Sequence, residues 1–176
     1  MKTAKKKTSK SKPTRKPPAF SVRESERSLV EGIASALPDQ VPYLWYQALS
    51  HLVANGTEFH GFTPSRTNPV TDRYRKVKRP KRGECFYNAL MFCLANPKAE
   101  YWEGKACAGN PWTVDHAWVV LDGKVIDFTW EGMRESEECY YLGCHIPTAF
   151  VSKLANERGE AGSVLCEFLE EKNVKP

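Results

Sequence analysis

Apolar residues recur at helical spacing in the first part of the chain and alternate in its middle. Ser21-Val22-Arg23-Glu24 fits a capping box, and Leu29, Ile33 and Leu37 then recur every four residues. That spacing predicts a helix to about Leu37, ended by Pro38-Asp39. Val41, Leu44, Trp45, Ala48, Leu49, Leu52 and Val53 make one face of a second helix, stopped at Asn55-Gly56. His51 falls beside that face and reads as a partly buried structural histidine. Thr57 to Thr63 is a short strand. Residues 64–82 hold Pro64, Pro69 and Pro80 and read as a long loop. Cys85 to Ala95 is an apolar run that predicts a buried helix, with Gly83 allowing a tight approach and Asn96-Pro97 ending it.

The second half of the chain is mainly strands. Ala99 to Ala106 is one, and Gly109-Asn110-Pro111 turns the chain. Val114 to Leu121 and Lys124 to Trp130 form a hairpin about Asp122-Gly123. A two-residue loop pairs Leu121 with Lys124, Val120 with Val125 and Trp118 with Asp127. Opposed residues share a face, as do residues two apart. His116 and Asp127 are therefore diagonal neighbours on one face. The other face, Ala117, Val119, Leu121, Ile126, Phe128 and Trp130, is wholly apolar and is expected to pack on helices. Residues 131–139 are loop-like, and Tyr140 to Pro147 is a last strand. A helix capped by Thr148 runs to about Asn156. A short final one contains Val164, Leu165, Phe168 and Leu169. No internal repeat or second domain is visible.

Composition refines this picture. At 176 residues and 41% hydrophobic, the chain suits one domain with a real core. No apolar run approaches the length of a membrane span. The basic N-terminus lacks the apolar stretch of a secretory signal, so a cytoplasmic, reducing setting is expected and the six cysteines are expected unpaired. The net charge of +5 comes from the tail. Residues 1–18 hold eight of the 26 basic residues and no acid, which leaves 18 against 21 acids in the rest. This tail is expected to be disordered, with residues 19–176 forming the single domain. A second basic run lies in 64–82, where Asp72 is the only acid. Both runs suit an acidic partner or nucleic acid. Both also suit a plain solvated surface.

Three short stretches carry the candidate chemistry. Cys85 opens a helix, where unpaired backbone N–H groups and the helix dipole favour a thiolate. The charged Lys81 to Glu84 before it suggests the rim of a cleft. His116 can take the thiol proton, and Asp127 can orient the imidazole. The Cys85 backbone N–H is one candidate oxyanion donor, with Asn88 and Gln47 as candidates for a second. Trp118 is a candidate wall of the site, or a core aromatic. A zinc site using Cys139, Cys144 and His145, with Cys107 and His116, is the competing use of these residue types, but its spacing matches no common pattern. The predicted chemistry needs no cofactor.

Gly83-x-Cys85 with Ala89 after it, Tyr101-Trp102-Glu103-Gly104, His116-Ala117-Trp118 and Asp127-x-Thr129 together resemble the ordered motifs of transglutaminase-like proteins. The resemblance covers about 48 residues. It implies a papain-like α+β core, with the nucleophile helix packed on a small antiparallel sheet. It also implies Cys85 as nucleophile, His116 as base and acid, and Asp127 as orienting residue. Expected substrates are protein or peptide amides, cleaved or transferred through an acyl-thioester. The family also includes copies that have lost activity. The His-to-Asp interval is shorter than usual in that family, and the chain lacks the accessory domains of large cross-linking enzymes. Its size is that of phage- or bacterium-type members. A non-enzymatic protein on the same fold, binding nucleic acid through the tail and residues 64–82, is the alternative.

Overall fold

The computed structural model describes residues 21–36, 43–109 and 112–172. The basic tail 1–18, Leu37, Pro38-Asp39, Val41 and Asn110-Pro111 lie outside the described residues. The described residues form a mixed α/β fold of six helices and one antiparallel sheet. Helix α1 spans Val22–Ala36 and α2 Tyr43–Asn55. Strand β1 (Thr57–His60) follows, then α3 (Pro69–Lys78) and α4 (Cys85–Ala95). The remaining strands are β2 (Glu100–Ala108), β3 (Val114–Leu121), β4 (Lys124–Ile126) and β5 (Cys139–Ile146). Helices α5 (Thr148–Arg158) and α6 (Leu165–Glu171) close the chain. The strand order is β1-β5-β2-β3-β4, with every pairing antiparallel.

Two apolar layers sandwich the sheet. One packs Ala117, Val119, Leu121, Ile126 and Phe128 against helical residues, among them Ala89, Leu90 and Phe92 of α4 and Val151 of α5. The other, under β1 and the loops, gathers Phe62, Ala106, Trp118, Val120, Val125 and Tyr141. Burying side chains of this size contributes roughly 1.5–3 kcal/mol each. The alternation read from the sequence thus sorts residues correctly onto two faces as far as Phe128.

The hairpin forms in the expected register, with Val119, Val120 and Leu121 opposite Ile126, Val125 and Lys124. Asp122 and Gly123 both have positive φ, 51° and 72°, the left-handed pair that a two-residue turn demands. The strand reading of 124–130 is too long. Strand β4 stops at Ile126 because Asp127 turns the chain, its Oδ1 accepting from the backbone N–H of Thr129 and Trp130, each at 2.9 Å. Trp130 consequently leaves the helix-covered face and joins the opposite layer.

The loop reading of 64–82 is corrected more fully, because α3 occupies its centre. Asn68 caps this helix by accepting from Val70 N at 2.9 Å, and Pro69 fills the first position, where a missing N–H costs nothing. Thr71 is its buried residue, and Tyr74 packs edge-on against Phe92 at 4.9 Å. Smaller differences occur at caps. Ser21 Oγ accepts from Glu24 N at 3.2 Å as expected, but Glu58 of β1, not Glu24, accepts from Ser21 Oγ and Arg23 N. Leu29 is exposed, and Val22 and Glu26 are buried among the described side chains of α1. Thr148 lies inside α5, whose cap is Pro147.

Candidate functional site

Cys85 is the first residue of α4. Gly83 before it has φ of 77°, a conformation that glycine adopts without strain. Asn88, one turn into the helix, holds the approach in place. Its Oδ1 accepts from Lys81 N at 3.0 Å, and its Nδ2 donates to Lys81 O at 2.7 Å and to Thr129 Oγ1 at 2.9 Å. This one amide ties the residues before the thiol, the helix and the turn after β4 together. Both of its protons are used, so Asn88 positions the site and has none left for an oxyanion.

His116 lies on β3 opposite Gly104 of β2. Strand β4 pairs only with residues 119–121, so the edge of β3 beside His116 is open. The Asn88–Thr129 bond brings the start of α4 to this gap. His116 Nε2 hydrogen-bonds Asp127 Oδ2 at 2.8 Å. That leaves Nδ1 free of the carboxylate, and the Cys85 thiol lies close enough to the imidazole to help raise its pKa. Cys85, His116 and Asp127 are 7%, 2% and 1% exposed, so all three are buried and Cys85 is the least so.

Burial alone would lower the pKa of His116. The Asp127 carboxylate, its hydrogen bond and the Cys85 thiol outweigh burial and raise it to about 9. Asp127 in turn accepts from four donors: His116 Nε2, Tyr141 Oη at 3.0 Å, and the N–H groups of Thr129 and Trp130. A buried carboxylate so surrounded has its lone pairs filled. The other thiols have a different setting: burial pushes Cys93, Cys139 and Cys144 up to about 12 and Cys107 to about 11. All six cysteines are unbridged.

Two residues of this site escape sequence reading. Tyr141 comes from β5, and it reaches Asp127 because its sheet face passes small residues of β2, Ala106 and Gly104. Trp130 stacks on the His116 ring at 4.3 Å, with the planes 19° apart. Such a face suits an imidazolium. Trp118 lies deeper, 1% exposed, with its indole over Gly143, where an added Cβ would fall 2.4 Å from the ring. Trp118 is therefore a floor of the aromatic layer, and Trp130 takes the wall position. Gln47 is half-buried on α2, a helix that packs chiefly on α1, α6 and β5.

Neither described cavity reaches Cys85. One, about 430 Å³, lies among Phe59, Phe62, Lys124 and Ser136; the other, about 500 Å³, lies between α3 and the end of α4. Among the described residues no group of three or more His, Cys, Asp or Glu side chains can hold a metal ion, and no helix is long and apolar enough to cross a membrane. Comparison with protein-family models, with curated proteins and with solved structures finds no match to the chain.

Proposed function

We propose that the chain is a cysteine-dependent amide hydrolase or acyl transferase, built on a papain-like core of the transglutaminase-like kind. One observation carries the reading. The His116 imidazole hydrogen-bonds the Asp127 carboxylate at 2.8 Å and lies within electrostatic reach of the Cys85 thiol, although the three come from α4, β3 and the turn after β4. A raised imidazole pKa suits a group that holds the thiol proton and later gives it up.

In this mechanism the Cys85 sulfur attacks the acyl carbon of an amide as a thiolate, its proton resting on His116. The negative charge moves to the carbonyl oxygen, where the Cys85 N–H, at the first position of α4, can donate. The C–N bond breaks as His116 gives its proton to the leaving amine, and a thioester remains on Cys85. Water then attacks the thioester while His116 takes one of its protons. A carboxylic acid leaves and the thiol is restored. An amine in place of water would give transfer, but hydrolysis is the simpler outcome because no dedicated amine site is evident.

The test is site-resolved alkylation of Cys85 by iodoacetamide, read by mass spectrometry. At pH 6 an ordinary thiol is less than about 1% thiolate. Cys85 is expected to react at this pH at least tenfold faster than in the denatured chain, and His116→Ala is expected to remove most of that advantage. Cys85→Ala should abolish any amide-cleaving activity while leaving the fold intact. A native thiol that reacts no faster than the denatured one would sink the mechanism.

A second reading, a nucleic-acid-binding or assembly protein on the same fold, is favoured by the basic tail and by the exposed cations of α3. It requires oligonucleotide affinity that falls steeply with salt and with deletion of residues 1–18.

A further inference from the structure

We propose, building on the acyl-transfer reading, that the acyl donor of Cys85 is an acidic peptide segment, received by a cationic face formed by α3 and the turn leading to the thiol. Arg73, Lys78, Arg79, Lys81 and Arg82 are all exposed. None has a carboxylate within 4.0 Å among the described residues; by contrast Arg75 and Lys76 both pair with Asp72. Other exposed cations without a salt bridge, such as Lys98, Lys124 and Lys153, lie singly, whereas these five fall within ten residues, with Glu84 as the one exposed acid beside them. They occupy the segment that ends at Cys85.

Two of them are held in place. Asn88 clamps the backbone of Lys81 on both sides, and the Lys81 ammonium lies 5.5 Å from the centre of the Tyr87 ring, in the first turn of α4. Arg82 Nε lies 2.8 Å from Met133 Sδ, in the turn that follows Asp127. One cation therefore points along α4 and the other towards the Asp127 turn, with the thiol's helix start between them. Cations fixed before binding lose little side-chain freedom when an anion arrives. They also raise its rate of encounter.

Apolar ground lies farther along α3, toward the end of α4 opposite Cys85. The cavity of about 500 Å³ is lined by Val70, Tyr74, Val77 and Ala95, with Arg73 and Lys78 at its margin. Val77 is 67% exposed. Aliphatic floor with cationic margin suits a peptide that alternates apolar and acidic side chains. It suits single-stranded nucleic acid poorly, because bases need open aromatic faces. The cavity's own aromatic, Tyr74, is packed against Phe92 and Phe128, and the Tyr87 ring, 40% exposed, already carries the Lys81 ammonium over one face.

The experiment compares Cys85 alkylation by iodoacetate and by iodoacetamide. Both reagents attack the same thiolate, so their rate ratio does not depend on the thiol's proton affinity. The ratio therefore reads the local field even if the acyl-transfer reading fails. The denatured chain gives the reference ratio. At low ionic strength the native ratio is expected to exceed this reference. Lys81→Gln with Arg82→Gln should lower it about threefold, as expected for two charges roughly 10 Å away in water. Salt at about 0.5 M should bring the wild type down to the double variant. An unchanged ratio in the double variant would overturn the proposal.

A second arm identifies the anion. A decapeptide of alternating glutamate and leucine should slow iodoacetamide alkylation of Cys85 in the wild type and not in the double variant. Stronger protection by a ten-nucleotide oligothymidylate than by the peptide would overturn the proposal in favour of nucleic acid, and absence of protection by either would overturn it outright.

Discussion

At the scale of single residues the site is a chain of hydrogen bonds from an imidazole beside the thiol, through a carboxylate, to a tyrosine. Tyr141 Oη and His116 Nε2 both donate to Asp127 Oδ2. Burial beside Asp127 pushes the Tyr141 pKa well above its ordinary value, so the phenol stays protonated and stays a donor. A hydrogen bond to a charged acceptor contributes roughly 1.5–3 kcal/mol. Tyr141→Phe keeps the ring that packs on Trp118 and removes only the hydroxyl. Expected is a loss of about 2 kcal/mol in urea unfolding and a severalfold fall in Cys85 alkylation at pH 6. A loss of stability with unchanged alkylation would make Tyr141 a packing residue alone. Cys85, His116 and Asp127 were legible because each sits at a position that local rules define: a helix start, and two diagonal places on a hairpin with a known turn. Tyr141 was not, because it lies on a strand separated from β3 by β2, and the strand order follows from tertiary packing rather than from local pattern.

At the scale of elements, α4 matters through its first turn and α3 through its capping. The apolar run 85–95 announced α4 plainly. Helix α3 was hidden by its charge, since Arg73, Arg75, Lys76 and Lys78 read as loop. Its signals were present nonetheless: Asn68-Pro69 is a cap followed by a first-turn proline, and Val70, Tyr74 and Val77 recur at helical spacing. The element that fixes Cys85 relative to β3 is the Asn88 amide. Asn88→Ala leaves the N–H and C=O of Lys81 without their partner and frees the turn after β4. The expected cost is about 2 kcal/mol, from the lost hydrogen bonds and the buried space. Alkylation of Cys85 should also lose its dependence on His116, because the helix start is no longer tied to Thr129. Measuring the double variant Asn88→Ala, His116→Ala against each single one checks this: additive effects on the alkylation rate would contradict it.

At the scale of the whole molecule, two buried titrating groups make stability depend on pH. Glu103 of β2 is buried and accepts from Ser163 Oγ, from Val164 N at 3.0 Å, from Leu165 N at 3.1 Å and from Tyr101 Oη at 3.2 Å, so it fastens the start of α6 to the sheet. Burial raises its pKa from 4.5 to about 7, its hydrogen bonds opposing that rise. The folded-state value is above the unfolded one, so its contribution is full below about pH 4.5 and is lost as pH rises through about 7. His116, carried from 6.5 to about 9, behaves in the same sense: its contribution is full below about pH 6.5 and is lost through about 9. Each window spans about 2.5 units, or about 3 kcal/mol. Glu103→Gln has no proton to lose. Between pH 4.5 and pH 8 the unfolding free energy of this variant should therefore rise relative to wild type by about 3 kcal/mol. Urea titrations of both proteins at pH 4.5, 6, 7 and 8 measure that gap. His116→Gln should shift the gap in the same direction, but only between about pH 6.5 and 9. The two windows overlap only near neutrality, so the pH at which each gap opens assigns it to its residue. A gap that stays constant for Glu103→Gln would mean that the carboxylate remains ionised across the range, held by the α6 N–H groups, and that α6 is fastened by charge at every pH tested.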